Sequence, residues 1–96
     1  MRIAFLSCAE AELHDAIHYY NEQSPGLGYE FAAEVKKTLE RIVFHPEAWA
    51  PLSKRTRRCH VSGFPYGVIY QARGESVLVV AVMHMSRRPD CFEDRI

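Results

Sequence analysis

The chain is predicted to be α+β, a helical hairpin packed on a mainly antiparallel four-stranded sheet in the order β-α-α-β-β-β. Three observations predict it. The hydrophobic period is helical through the first half and becomes two in the second. A proline-bracketed segment, Pro46-Glu47-Ala48-Trp49-Ala50-Pro51, separates the two regimes. The run Val77-Leu78-Val79-Val80-Ala81-Val82-Met83 is apolar on both faces, as a central strand must be.

The elements follow in order. Residues 2–6 alternate weakly around Ile3 and Phe5 and read as a short strand. Ser7-Cys8-Ala9-Glu10 has the form of a capping box. Ala9, Leu13, Ala16, Ile17 and Tyr20 then form one apolar stripe, and the segment from Asn21 to Gly26 carries the turn residues that end it. A second helix is expected from Leu27 or Gly28, with Phe31, Val35, Leu39 and Ile42 inward and Glu34 within reach of Lys37. It stops at His45-Pro46, because the residue before proline is pushed out of helical geometry. Trp49 reads as a plug for the end of the core. Residues 57–62, 66–72 and 76–84 are the remaining strands, with a hairpin turn at Arg73-Gly74-Glu75.

Composition narrows the function classes. Ninety-six residues suit one domain spanning 1–96, and 48% hydrophobic with 25% charged residues are ordinary globular values. The longest apolar run is about half of what a bilayer span requires, so no membrane segment is expected. Residues 1–6 are too short an apolar stretch for a secretory signal. Cys8, Cys59 and Cys91 are odd in number and widely spaced, which favours buried thiols in a reducing cytoplasm over disulfides. The net charge is zero, but residues 1–50 carry four Lys/Arg against eight Asp/Glu (4 − 8 = −4) and residues 51–96 carry eight against four (8 − 4 = +4). Placed on different faces, the halves would give the molecule a steering field.

Several chemical motifs fall away on inspection. His14-Asp15-Ala16-Ile17-His18 approaches a helical zinc-protease motif, but Asp is one methylene short of the required base and no third ligand is evident. No metal is expected. Cys59 and His60 are neighbours on a strand, so they point to opposite faces and are no dyad; Cys8, in the first turn of a helix, reads as a small packed hydrophobe. Gly26 and Gly28 lie between helices rather than after a strand, so no phosphate loop and no cofactor are expected. The informative cluster is basic. Lys54-Arg55-Thr56-Arg57-Arg58 enters a strand, and Arg87-Arg88 leaves the last one just after His84. If those ends meet, guanidiniums and an imidazole converge on one surface able to hold phosphates or an acidic peptide, with Tyr66 and Tyr70 as stacking faces. The competing reading is a sheet edge kept basic against strand addition.

The runs Arg58-x-x-Val61-x-x-Phe64-Pro65-Tyr66-x-Val68-x-Tyr70 and Val77-x-x-Val80-x-Val82-x-His84-x-x-Arg87-x-Pro89, with Tyr19-Tyr20, Phe31 and His45-Pro46, resemble the RelE/ParE superfamily of type II toxins. The resemblance covers nearly the whole chain. It implies a toxin encoded beside an antitoxin whose disordered amphipathic segment folds around it. In the RelE branch it implies a ribosome-dependent endoribonuclease cutting messenger RNA. In the ParE branch it implies a toxin that blocks DNA gyrase without an active site of its own. Here Gly67 stands at the strand position where the ribonuclease branch often carries a catalytic arginine, and Phe92 stands in the tail in place of an aromatic with a polar handle. The acid–base candidate for a ribonuclease is then His84, with Arg58, Arg87 and Arg88 as phosphate clamps. The ParE branch fits better, with target binding through Arg57, Arg58, Tyr66, Tyr70, His84, Arg87 and Arg88. The alternatives are an mRNA interferase and an inactive relative that still binds antitoxin. A homodimer within the toxin–antitoxin complex is a further expectation of the resemblance.

Overall fold

A computed structural model describes residues 2–87 and 95–96. The chain runs β1 (Arg2–Phe5), α1 (Ser7–Gln23), α2 (Leu27–Phe44), β2 (Ala50–Pro51), β3 (Arg57–His60), β4 (Tyr66–Arg73) and β5 (Ser76–His84). The sheet order is β1-β5-β4-β3-β2, with β1 parallel to β5 and every other pair antiparallel. The helical hairpin covers one face of this sheet, so the α+β expectation holds.

Two local expectations are corrected. The sheet has five strands instead of four, because Ala50 and Pro51 leave the proline-bracketed loop to pair with Arg58 and Arg57. Pro51 is tolerated there because β2 is an edge strand. The capping box does not form. Leu6 is the N-cap and Ser7 is already helical, with no side-chain cap at that end; the helix starts one residue early because Leu6 still donates its N–H to Val79 O (3.0 Å) as the chain leaves the sheet.

The predicted stripes are the inward faces. Phe31, Val35 and Ile42 of α2 and Ala9 and Ala16 of α1 pack on Val68, Tyr70, Val77, Val79 and Val82 of the sheet. Trp49 lies against this core and donates Nε1 to Arg41 O at 3.3 Å. Both long strands turn at Gly74, whose φ of 59° is the left-handed value that the first turn position requires. Between Ile69 and Tyr70 the β4–β5 register slips, so Val80 and Ala81 both face away from the helices, beside Ile69 and Met83. That bulge is how one strand stays apolar on both sides.

Tyr70 is fully buried on the helix side, and its hydroxyl donates to Pro46 O. Burial pushes its phenol up from 10.0 to about 12, against the smaller downward pull of Arg57. A tyrosine raised in the folded state stabilises the fold fully below its unfolded value, and that contribution is lost as pH rises from 10.0 through about 12. Tyr70→Phe should therefore cost about 1–2 kcal/mol near neutrality, from the lost hydrogen bond. Above pH 10 the gap between parent and variant should shrink; urea unfolding at pH 8 and pH 11 reads both.

Candidate functional site

At the C-terminal end of β5, Tyr66 and His84 are cross-strand partners on the helix side, with ring centroids 5.4 Å apart and nearly perpendicular. Tyr66 belongs to an aromatic cluster with Tyr20, Phe31 and Phe64. His84 Nδ1 accepts the Ser86 N–H at 3.0 Å and lies 2.7 Å from the Ser86 hydroxyl. An Nδ1 that accepts places the proton of the neutral ring on Nε2. Arg87 follows in the turn, its N–H bonded to His84 O at 3.1 Å.

Facing them, α1 presents Glu12, Asp15, Ala16 and Tyr19, one helical face at i, i+3, i+4 and i+7. Together these residues line a cleft of about 300 Å³. Burial pushes the Tyr66 phenol up, Tyr19 pushes it further, and Arg87 partly offsets the two; at neutral pH it is a neutral donor. The guanidinium of Arg87 sits 3.9 Å from Glu12 Oε2. Glu12 also accepts Val82 N–H (3.1 Å) and two bonds from Arg95 (2.8 and 2.9 Å), and Arg95 in turn bonds Val80 O (3.0 Å). The pair thus closes the part of the β5 edge that β1, ending at Phe5, leaves uncovered. The cleft thus presents the Asp15 carboxylate and the Arg87 guanidinium, beside a Glu12 already paired with Arg95.

The remaining basic residues do not join it. β3 and β5 run in the same direction because each is antiparallel to β4, so Arg57, at the start of β3, lies level with Val79 and not with His84. Arg57 is therefore not brought to His84 and Arg87, while Arg58 reaches the same end of the sheet only on its other face, toward Gly67 and Met85. Arg57 pairs with Tyr70 on the helix side and donates to Trp49 O at 2.9 Å. Tyr70, having no exposed ring face, cannot stack on a ligand. Arg58, one residue on, lies on the opposite face beside Ile69, and its stem crosses Gly67, where an added Cβ would stand 2.9 Å from Arg58 Cγ and Cδ and 3.1 Å from Met85 Sδ. Arg88, Pro89, Cys91 and Phe92 lie outside the described residues.

Sequence reasoning passed over Glu12 and Asp15 as site residues; their spacing with Tyr19 along α1 was the available signal. His14 and His18 are exposed, and His18 pairs with Glu22 at 3.2 Å. Among the described residues no three His, Cys, Asp or Glu side chains gather into a metal site. Burial pushes the Cys59 thiol up against the opposing pull of Arg41, the opposite of what a nucleophile needs. Among the described residues no helix is long and apolar enough to cross a membrane.

Comparison with known proteins adds the following. Residues 3–89 match the family described as ParE toxin of type II toxin–antitoxin system, parDE. The chain is 31% identical over 88 residues to Toxin ParE2 of Mycobacterium tuberculosis, in strains CDC 1551 / Oshkosh and ATCC 25618 / H37Rv, covering 91% of this chain and 84% of the relative. Its fold superposes on a chain of the chromosomal ParDE TA system from P. aeruginosa with a TM-score of 0.75, over 88% of this chain and 95% of that one, at 12% identity.

Proposed function

This chain belongs to the family of ParE toxins of type II toxin–antitoxin systems, and we propose that it acts without chemistry of its own, by binding a target such as DNA gyrase. Its family implies a cognate antitoxin as partner. The observation that carries the non-enzymatic reading is at Gly67. The strand position that resemblance gives to a catalytic arginine in the ribonuclease branch bears no side chain, and the stem of Arg58 crosses it. Arg87 supports the same reading, since it turns toward Glu12 and is already partly neutralised as a phosphate clamp. We assign target contact to the cleft of Tyr19, Tyr66, His84 and Arg87, and antitoxin contact to α2, which leaves Tyr29 and Phe44 exposed near its two ends. A cytoplasmic location and pairing of two toxins within the antitoxin complex belong to the same proposal.

Purified protein is expected to inhibit gyrase supercoiling while leaving message intact in a translating extract. Arg87→Ala, at an exposed position, should raise the inhibitory concentration at least about tenfold, the size of one lost charged contact of about 1.4 kcal/mol, with the fold unchanged. Cleavage of message that Arg87→Ala or His84→Ala abolishes would establish the ribonuclease reading instead.

A further inference from the structure

We propose that the end of the sheet remote from the Tyr66–His84 cleft is a second binding site, one that takes the phosphodiester backbone of nucleic acid without reading bases. The loop between β2 and β3, the start of β3 and the end of β4 enclose an open groove of about 550 Å³. Lys54, Arg55, Arg57 and Arg73 line it, against Glu47 as the one acidic lining residue. Among the described residues none of these four cations makes an ion pair with a carboxylate. Four like charges gathered against one carboxylate raise the local potential, and the cost of gathering them is recovered when an anion binds.

The groove is also held in shape. Ser53 Oγ accepts the N–H groups of Arg55 and Thr56 at 3.2 Å each and lies 2.7 Å from Thr56 Oγ1, while Leu52 N–H bonds Thr56 O at 2.9 Å. Arg57 is pinned through Trp49 O and Arg73 through the Gln71 side chain. The planar guanidiniums thus lose little freedom on meeting phosphate oxygens.

The lining contains no aromatic ring. A nucleobase would have nothing to stack on, so the contacts go to phosphates, and affinity should be independent of sequence. The rest of the molecule fixes how it approaches. Glu10, Asp15, Glu22, Glu30 and Glu40 are exposed on the helices and repel a polyanion. That field turns the groove end toward the polyanion.

The test is fluorescence anisotropy of the purified full chain with a labelled 20-base-pair DNA duplex and, separately, a single-stranded RNA of mixed sequence, across a salt series. Four phosphate contacts predict a slope of log K against log salt of roughly −3.6 for the duplex. Lys54→Ala combined with Arg55→Ala, at exposed positions whose side chains hold nothing in the fold, should flatten that slope by roughly 1.8 and weaken binding at low salt at least tenfold. Lys36→Ala, on the helices, should change neither. Tighter binding to the duplex or to the RNA identifies which backbone the groove takes. Equal affinity for poly-glutamate, or a slope that Lys36→Ala flattens as much as the groove variant, would overturn the proposal. The assay contains no gyrase, so its outcome stands apart from that of the supercoiling test.

Discussion

Gly28→Ala is expected to destabilise the fold by about 3 kcal/mol, a large fraction of what a domain of this size has to lose. Gly28 sits at the start of α2 where that helix leans directly on α1. A Cβ there would stand 2.1 Å from the carbonyl oxygen of Ile17 and 2.6 Å from Asn21 Cγ. Backbone cannot rotate aside as a side chain can, so the two helices must separate. Separation also lengthens the bond in which Gly28 N–H reaches Asn21 Oδ1, at 2.8 Å. Asn21→Ala alone should cost about 1 kcal/mol, the value of one hydrogen bond. Adding it to Gly28→Ala should rescue nothing, because the Ile17 carbonyl remains. Urea unfolding of the three variants reads this directly, and a Gly28→Ala protein within 1 kcal/mol of the parent would refute the close helix contact.

Glu12→Ala should cost about 2–4 kcal/mol. Its carboxylate and the Arg95 guanidinium are 18% and 21% exposed, and the pair is bidentate with Val82 N–H as a third donor. Removal leaves that N–H without its acceptor and takes the Glu12 carboxylate from a largely buried guanidinium. Glu12→Gln keeps an acceptor for Val82 and should recover about half of the loss. Because the pair is sheltered, 1 M salt should narrow the difference little, unlike an exposed pair such as Lys37–Glu34. Amide exchange at Val82 is the local readout. Unchanged protection there in Glu12→Ala would mean that the carboxylate does not seal the strand edge.

The major elements were readable because their periods are long. Eighteen residues of α2 show Phe31, Val35 and Ile42 at helical intervals, and β5 is apolar from Val77 through Met83. β2 was not readable, since two residues, one of them proline, have no period. The start of α1 was misread because Ser7 and Glu10 have the right spacing for a cap, yet backbone pairing of Leu6 decides where the helix begins. At the site the structure brings Tyr66, His84 and Arg87 together, and the cross-strand pair of the first two explains why. Arg57 and Arg58 were not separable by sequence, because alternate residues take opposite faces and one step of register exchanges them. The failure to converge has a global cause. Relative strand direction depends on how many antiparallel neighbours intervene, which no local pattern encodes.

β5 follows the other four strands in chain order yet lies between β1 and β4, so Ile3 meets Val77 across most of the chain. Such distant pairings close slowly. Until β5 slots in, α1 lacks the strand it packs on and the aromatic cleft lacks His84, whereas every residue lining the basic groove precedes β5. An agent that competes for the β5 segment before it pairs would therefore disarm the cleft while leaving the lining of the groove in place.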